Sequence, residues 1–264
     1  MPDLAVNGTM LHYRFDGPAD GPVVMLSNSL ASNLGMWDWQ VPALAQRYRV
    51  LRYDSRGHGR SAPPPGPYSI ELLADDARAL LDALEISRAH FCGLSKGGMV
   101  GQMLAPWHPE RLISLVLCDT AAHLPPKSLW DERIKTVQER GLAATVDATI
   151  DRWFTRAFQE RAPEAVEKVR EMIRTTPVEG YAGCCAAIRD MDQRESIRGI
   201  TVPTLIIVGA DDPGTPVAAA ELIHERIRGS RLAVLPEAAH FANVEQSERF
   251  NALLLEFLAQ HDAR

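Results

Sequence analysis

Short apolar runs alternate with helical patterns along most of this chain. Six runs are rich in aliphatic and β-branched residues and end at turn residues, and segments with helical periodicity lie between most of them. The runs span residues 22–27, 48–53, 89–92, 114–118, 204–208 and 231–235. Because parallel strands are joined by crossover helices, this alternation predicts an α/β fold with a mostly parallel central sheet and helices on both faces.

The first residues predict an antiparallel edge to that sheet. Two apolar runs, at 4–6 and 10–15, are separated by Asn7 and Gly8. Asn-Gly is the pair that tight hairpin turns favour, because both central residues must adopt positive φ.

The alternation stops between residues 122 and 196. No strand pattern occurs there, and four helical segments are separated by Gly and Pro residues. These segments span residues 128–140, 143–155, 162–175 and 178–189. The pattern therefore predicts a core domain made of residues 1–121 and 197–264, with a helical cap (residues 122–196) inserted into it.

Composition and charge favour a small-molecule ligand. The 264 residues carry a net charge of −6, whereas nucleic-acid binders usually present a concentrated basic face. No apolar stretch reaches the roughly 20 residues that span a bilayer, and Met1-Pro2-Asp3 does not begin a signal peptide. We therefore expect a cytoplasmic protein that binds neither nucleic acid nor membrane.

Cysteine and histidine spacing does not indicate a metal. The four cysteines, Cys92, Cys118, Cys184 and Cys185, lie in predicted strands and a helix and are expected to be reduced thiols. No pair has zinc-ligand spacing, and the eight histidines form no HxxxH or HExxH cluster. We expect neither a metal nor an organic cofactor.

One pentapeptide predicts a nucleophile. Residues 93–97 read Gly-Leu-Ser-Lys-Gly, which fits G-x-S-x-G, and they lie between the apolar run 89–92 and a helical pattern at 98–107. A serine on so sharp a strand-to-helix turn is strained, so the glycines on either side leave room for the crossing chain. Ser95 is thus predicted to expose its hydroxyl at a helix N-terminus, where the dipole favours an oxyanion.

An acid and a base follow in the order that such a serine needs. Asp211 and Asp212 come just after the run 204–208, and His240 comes five residues after the run 231–235. Because the carboxyl ends of parallel strands share one edge, these groups are predicted to meet Ser95 there. Residues 209–216 resemble the acid loop of α/β-hydrolases, which favours Asp212, and Asp211 is the alternative.

Two backbone amides are candidate oxyanion donors. One is the N–H of Lys96, directly after the nucleophile. Many α/β-hydrolases carry His-Gly after the strand that corresponds to residues 22–27, where this chain has Asn28-Ser29. If this pair replaces His-Gly, the second donor is the N–H of Leu30.

Several segments together resemble the 3-oxoadipate enol-lactonases of the α/β-hydrolase superfamily. They are LSNSL at 26–30, YDSRGHG at 53–59, FCGLS at 91–95 and, in the cap, GYAGCCAAIRDMD at 180–192. The resemblance implies an α/β-hydrolase fold. It also implies hydrolysis of an anionic enol-lactone to 3-oxoadipate through an acyl-enzyme, in the catabolism of aromatic compounds. Lys96 departs from the family, which would have an uncharged residue there.

An anionic substrate requires a local cation in a protein of net negative charge. Trp130 and Arg133 lie three apart on one predicted helix face and are candidates for an apolar wall and a carboxylate-binding fork. Arg189 is the second candidate cation and Lys96 the third. The alternatives are a general carboxylesterase or carbon–carbon bond hydrolase and, from another class, a non-catalytic ligand receptor.

Overall fold

Eight strands form one sheet in the computed structural model, which describes residues 2–262. Two parts of the chain lie outside the described residues. They are Met1, the first residue of the segment that was not expected to begin a signal peptide, and residues 263–264 of the predicted core domain. The strands are β1 (Asp3–Val6), β2 (Thr9–Asp16), β3 (Val23–Ser27), β4 (Arg49–Tyr53), β5 (Ala89–Leu94), β6 (Leu112–Cys118), β7 (Thr204–Gly209) and β8 (Arg231–Leu235).

The sheet is parallel apart from one edge. Its order is β1-β2-β4-β3-β5-β6-β7-β8, with β1, β2 and β4 paired antiparallel and the remaining neighbours parallel. Asn7 and Gly8 turn between β1 and β2 with φ values of 45° and 71°, as expected for a two-residue hairpin turn. The predicted α/β fold and its antiparallel edge are confirmed.

Helices surround the sheet and follow its strands. Those after β3 to β5 are α1 (Val41–Leu44), α2 (Ile70–Ala83) and α3 (Lys96–Trp107). Those between β6 and β7 are α4 (Lys127–Arg140), α5 (Val146–Trp153), α6 (Arg156–Arg161), α7 (Pro163–Thr175) and α8 (Val178–Asp190). The last are α9 (Val217–Arg226), α10 (Ala242–Glu245) and α11 (Ser247–His261). Short 3-10 turns span Leu34–Trp37, Pro109–Arg111, Leu142–Thr145 and Ser196–Gly199.

The cap segment is helical, with two differences from the predicted pattern. The helix expected at 143–155 is divided into the 3-10 turn Leu142–Thr145 and α5, and the sequence pattern missed the short α6. Thr155 starts α6 by accepting a hydrogen bond from the N–H of Phe158. Helix α4 packs against α8. The division of the chain into a core and a cap remains our interpretation of these elements.

The central strands bring their carboxyl ends to one edge. All residues of β5 and β7 are buried, so both strands pass through the middle of the core. Ser95 follows β5 directly, and the segments with Asp212 and His240 follow β7 and β8. No helix in the described part of the chain is long and apolar enough to cross a membrane.

Candidate active site

Ser95 occupies a strained turn between β5 and α3. Its φ and ψ are 56° and −116°, a conformation that non-glycine residues rarely adopt. A Cβ on Gly97 would lie 2.1 Å from the carbonyl oxygen of Ser27, and one on Gly93 would lie 2.2 Å from that of Gly97. Only glycine therefore fits on either side, which is the reason the sequence analysis gave for the motif.

Asp212 and His240 form a buried hydrogen-bonded pair. The Nδ1 of His240 lies 2.7 Å from Oδ2 of Asp212, which also accepts a hydrogen bond from the Thr215 hydroxyl at 2.6 Å. The other oxygen, Oδ1, accepts from the backbone N–H groups of Gly214 and Thr215 at 2.7 and 3.1 Å. Every contact of this carboxylate thus favours its ionised form.

The charge state of Asp212 follows from these contacts. Burial alone would raise the pKa of Asp212, but the facing His240 and the hydrogen bonds from His240 and Thr215 lower it to about 2. A carboxylate that is ionised at neutral pH keeps the proton of His240 on Nδ1 and leaves Nε2 free to accept one. Asp211, the alternative acid, is exposed, and its backbone N–H donates to Ala238.

The two predicted oxyanion donors lie beside Ser95. Leu30 lines the same cavity as the serine, and Lys96 is the first residue of α3. Within residues 2–262, neither amide N–H donates to another backbone or side-chain group. The N–H of Ser95 itself is engaged by the carbonyl of Cys118 at 2.9 Å. The geometry leaves these two amides available to an oxyanion.

A cavity of about 420 Å³ joins the strand ends to the cap segment. It has the size of a small-molecule site. From the sheet edge it is lined by Ser29, Leu30, Ser95, Asp212, Thr215 and His240, and from the cap by Trp130, Arg133, Thr149, Arg152, Trp153 and Tyr181.

Trp130 and Arg133 lie where their spacing on α4 predicts. Both line the cavity, and the guanidinium of Arg133 lies 4.6 Å from the ring centroid of Trp130. The indole N–H donates to the carbonyl of Leu124 at 2.9 Å, which fixes the ring. The structure therefore presents an apolar wall and a cation together.

The other two predicted cations lie elsewhere. Arg189 forms surface ion pairs with Asp131 at 2.8 Å and Asp190 at 2.6 Å and does not line the cavity. The side chain of Lys96 is fully buried away from the cavity, and burial lowers the pKa of its amine. The position of Arg189 on α8 did not predict which acidic residues would pair with it. We therefore do not retain Arg189 or the side chain of Lys96 as a substrate contact.

Sequence analysis missed Arg152 on the cap side of the cavity. It precedes Trp153 at the end of α5, whose buried positions are Val146, Thr149, Ile150 and Trp153. Arg152 lies three residues after Thr149, at the margin of this buried face, and an arginine at that position is usually solvated. The sequence offered one signal for Arg152, its position beside the buried face of α5. That position does not show which surface the face packs against.

Comparisons with known proteins agree with this geometry. The family described as alpha/beta hydrolase fold matches residues 22–247. The 3-oxoadipate enol-lactonase 2 of Acinetobacter baylyi is 43% identical over 94% of this chain and 92% of its own length. The crystal structure of the enol-lactonase from Burkholderia xenovorans LB400 is 43% identical with a TM-score of 0.96, covering 98% of this chain and 100% of that one. A putative carbamate hydrolase from Stutzerimonas stutzeri is 34% identical over 95% of this chain and 97% of its own.

Proposed function

This chain belongs to the alpha/beta hydrolase fold family, and from that premise we propose that it opens 3-oxoadipate enol-lactone to 3-oxoadipate with Ser95 as nucleophile. The chain is an ester hydrolase, as the enol-lactonases that it resembles are. The observation that carries the proposal is one cavity that contains Ser95 on its strained turn, the Asp212–His240 pair and Arg133, which forms no ion pair within residues 2–262.

The first chemical step in this proposal is acylation. Nε2 of His240 takes the hydroxyl proton of Ser95 as Oγ attacks the lactone carbonyl. Ionised Asp212 stabilises the imidazolium that forms, through the 2.7 Å contact with Nδ1. The amides of Leu30 and Lys96 donate to the tetrahedral oxyanion, and they need no reorganisation because both are main-chain groups.

Collapse of the tetrahedral intermediate opens the ring. The carbonyl carbon to ring oxygen bond breaks, and the oxygen leaves as an enolate. The proton that His240 took from Ser95 passes to this leaving group, which relaxes to a ketone, and His240 becomes neutral again. An enolate is a better leaving group than an alkoxide, so this step is easier than in an alkyl ester. Water activated by His240 then attacks the acyl-enzyme and releases 3-oxoadipate and free Ser95. The sequence of steps needs no cofactor.

The walls of the cavity select the substrate in this proposal. The ring of Trp130 provides an apolar surface for the lactone, and Arg133 provides a planar fork for its carboxylate. Lys96, the departure from the family pattern, contributes its backbone amide while its side chain points into the core. We further propose that the reaction serves aromatic catabolism in the cytoplasm, so that loss of the gene stops growth on aromatic acids degraded through 3-oxoadipate.

The direct test is turnover of the enol-lactone by purified protein. Ser95→Ala and His240→Ala are each expected to lower kcat by several orders of magnitude, and the double variant by little more than either, because the two residues act as a unit. Wild-type rates with the lactone should exceed those with p-nitrophenyl esters. A double variant that shows the product of the two single effects would remove the assignment of Ser95 and His240.

The same assay separates the alternatives. A general carboxylesterase would prefer the p-nitrophenyl esters, and a carbon–carbon bond hydrolase would prefer a diketone acid. A non-catalytic receptor would bind ligand without labelling of Ser95 by a fluorophosphonate probe. Labelling in the wild type and none in Ser95→Ala supports the proposed nucleophile.

A further inference from the structure

Two arginines of the cap segment line the cavity without an acidic partner. Arg133 extends from α4 and Arg152 from α5, and both are partly buried. Within residues 2–262, no carboxylate lies within 4.0 Å of either guanidinium. The only side-chain hydrogen bond of Arg152 is to the hydroxyl of Thr149 at 3.1 Å, so most of its donors are free.

Other arginines of the cap differ from these two. Arg170 pairs with Asp147, Arg174 with Glu167, and Arg189 with Asp131 and Asp190. Arg140 and Arg161 form no ion pair within residues 2–262, but both are exposed to solvent. Arg133 and Arg152 differ from both groups, because they are partly buried, line the cavity and form no ion pair in the described part of the chain. Partly buried cations without a counter-ion cost stability, so their arrangement indicates a ligand that supplies the missing charge.

The electrostatic surroundings of Arg152 agree with this deduction. Burial lowers the pKa of its guanidinium, and the positive charge of Arg133 lowers it further. Tyr181 also lines the cavity, and the positive charges of Arg133 and Arg152 both act on the pKa of its hydroxyl. An arginine remains protonated despite such a shift, so the cap side of the cavity carries two positive charges. An anion between them would relieve that repulsion.

We propose that Arg152 acts with Arg133 as a two-arginine subsite for the distal carboxylate of a dicarboxylic ligand whose other end lies at Ser95. The inference rests on the proposed function, because 3-oxoadipate is such a dicarboxylate, and it adds Arg152 as a residue that determines specificity. Two guanidinium groups can donate hydrogen bonds to both oxygens of a carboxylate from two sides, which a single arginine or a lysine does not do.

The subsite also follows from how Arg152 is held. It is adjacent to Trp153, whose ring stacks on Phe241 at a centroid distance of 4.3 Å and lies 6.1 Å from the ring of His240. The carbonyl of Trp153 accepts a hydrogen bond from the N–H of Phe241 at 3.0 Å. The end of α5 is therefore tied to the loop of the catalytic base, which fixes the position of Arg152 relative to the reacting carbonyl.

Calorimetric titration with adipate tests the subsite without requiring catalysis. Adipate has the two carboxylates and the chain length of 3-oxoadipate, and adipamide is its neutral counterpart. Arg152→Met and Arg133→Met are each expected to raise the Kd of adipate about ten-fold to a hundred-fold, the loss expected for one charge-assisted contact. The Kd of adipamide should change less than about three-fold. Arg152→Lys should recover part of the adipate affinity, because it keeps the charge and loses the fork.

The matched control is Arg161→Met. Arg161 is also in the cap, lies over the ring of Phe158 at 5.3 Å and is outside the cavity. The Arg161→Met variant removes the same charge and should leave the Kd of adipate within about two-fold of the wild-type value. The far-UV circular dichroism spectrum and the thermal denaturation midpoint report that each variant is folded.

Two results would overturn the subsite. One is adipate affinity in Arg152→Met equal to that of the wild type. The other is an equal loss for adipate and adipamide, which would make Arg152 a structural residue. Failure of the proposed function is seen separately, as wild-type protein that binds adipate through Arg152 and does not turn over the enol-lactone.

Discussion

The side chain of Asp212 has one role that its neighbour Asp211 does not share. Only the Asp212 carboxylate accepts from Nδ1 of His240, and only that contact selects the tautomer with Nε2 free. Asp212→Asn puts an amide opposite the imidazole and favours the wrong tautomer. We expect kcat to fall by about three to four orders of magnitude in Asp212→Asn and by less than about three-fold in Asp211→Asn. Steady-state kinetics at pH 7.5 with circular dichroism as a fold check measures both, and the opposite ranking would assign the acid to Asp211.

The pKa of Asp212 gives the sign of its effect on stability. Its folded pKa, about 2, is below the unfolded value of 3.8, so the unfolded chain binds more protons between these two values. The stabilisation from Asp212 is therefore complete above about pH 4 and is lost as the pH falls towards 2. In Asp212→Asn, the free energy of unfolding should fall less steeply between about pH 4 and pH 2 than it does in the wild type.

Lys96 presents a second residue-scale effect. Its Nζ has no hydrogen-bond partner among the residues described, and an unpaired buried donor costs about 1–3 kcal/mol. We expect Lys96→Met to raise the free energy of unfolding by about this amount and to retain activity, because the oxyanion contact uses only the backbone amide. Urea denaturation measures the change, and Lys135→Met, at an exposed lysine of α4, is the control.

Lys96 and Asp212 both make stability rise with pH, but in different pH windows. Burial lowers the folded pKa of the Lys96 amine below its usual value of 10.5, so the unfolded chain binds more protons between the folded pKa and 10.5. Wild-type stability thus rises with pH in that window. The advantage of Lys96→Met should shrink as the pH approaches 10.5, and a constant advantage would contradict a lowered pKa of the Lys96 amine in the folded state.

Sequence reasoning predicted the positions of the proposed site residues that depend on local motifs. Ser95, Asp212 and His240 come within five residues of the carboxyl end of a strand, so the sheet places them at one edge, and Trp130 and Arg133 share a helix face by spacing alone. Arg152 and Arg189 differ because a helical pattern fixes a face and not the surface it meets. Arg189 forms ion pairs with two aspartates, whereas Arg152 lines the cavity.

At the scale of elements, Glu245 connects the cap to the loop that carries His240, the proposed catalytic base. This buried carboxylate accepts from the N–H and hydroxyl of Thr155, at the start of α6, and from the N–H of Ala239 at 2.9 Å. Ala239 directly precedes His240, and Thr155 follows the end of α5. One side chain therefore holds a cap helix boundary and the base in a fixed relation.

Replacing Glu245 with Gln should disturb both sides of this contact. One carboxylate oxygen becomes an NH₂ group, so the N–H and hydroxyl of Thr155 and the N–H of Ala239 are left with a single acceptor oxygen among them. We expect a loss of about 1–3 kcal/mol in the free energy of unfolding and a decrease of about ten-fold in kcat, because a displacement near 1 Å at the base is costly. Thermal denaturation and steady-state kinetics measure the two effects.

Glu237→Gln is the matched control for that variant. Glu237 is in the same loop, three residues before His240, and is exposed. It should keep wild-type stability and kcat. Loss of stability in Glu245→Gln with wild-type kcat would show that the contact supports the fold without positioning His240.

The elements themselves were largely predictable. Every strand run appeared as a strand, with bounds that differ from the predicted ones by at most two residues at either end, because alternation and turn residues determine strands locally. Helix α6 was missed because its six residues, Arg156–Arg161, form under two turns and depend on the Thr155 cap and on packing against α7. Helices this short derive their stability from tertiary contacts rather than from propensity.

At the scale of the whole molecule, the net negative charge repels an anionic ligand, whereas the arginines of the cavity attract it at short range. The chain carries a net charge of −6, which repels an anion at long range. Arg133 and Arg152 attract the same anion inside the cavity, where contacts are shorter than the Debye length at any ordinary ionic strength. Salt should therefore screen the repulsion more than the attraction.

This difference in range predicts an unusual salt dependence. Raising the ionic strength from about 10 mM to about 150 mM shortens the Debye length from about 30 Å to about 8 Å. We expect kcat/KM for the anionic enol-lactone to rise about two-fold to three-fold over that interval, whereas that for neutral p-nitrophenyl acetate stays constant. Arg152→Met should show the same slope at a lower absolute value, because it lacks the local contact and keeps the overall charge. A fall of kcat/KM with salt in the wild type would mean that the cap arginines steer the anion from outside the cavity, and the division into long-range repulsion and local attraction would be wrong.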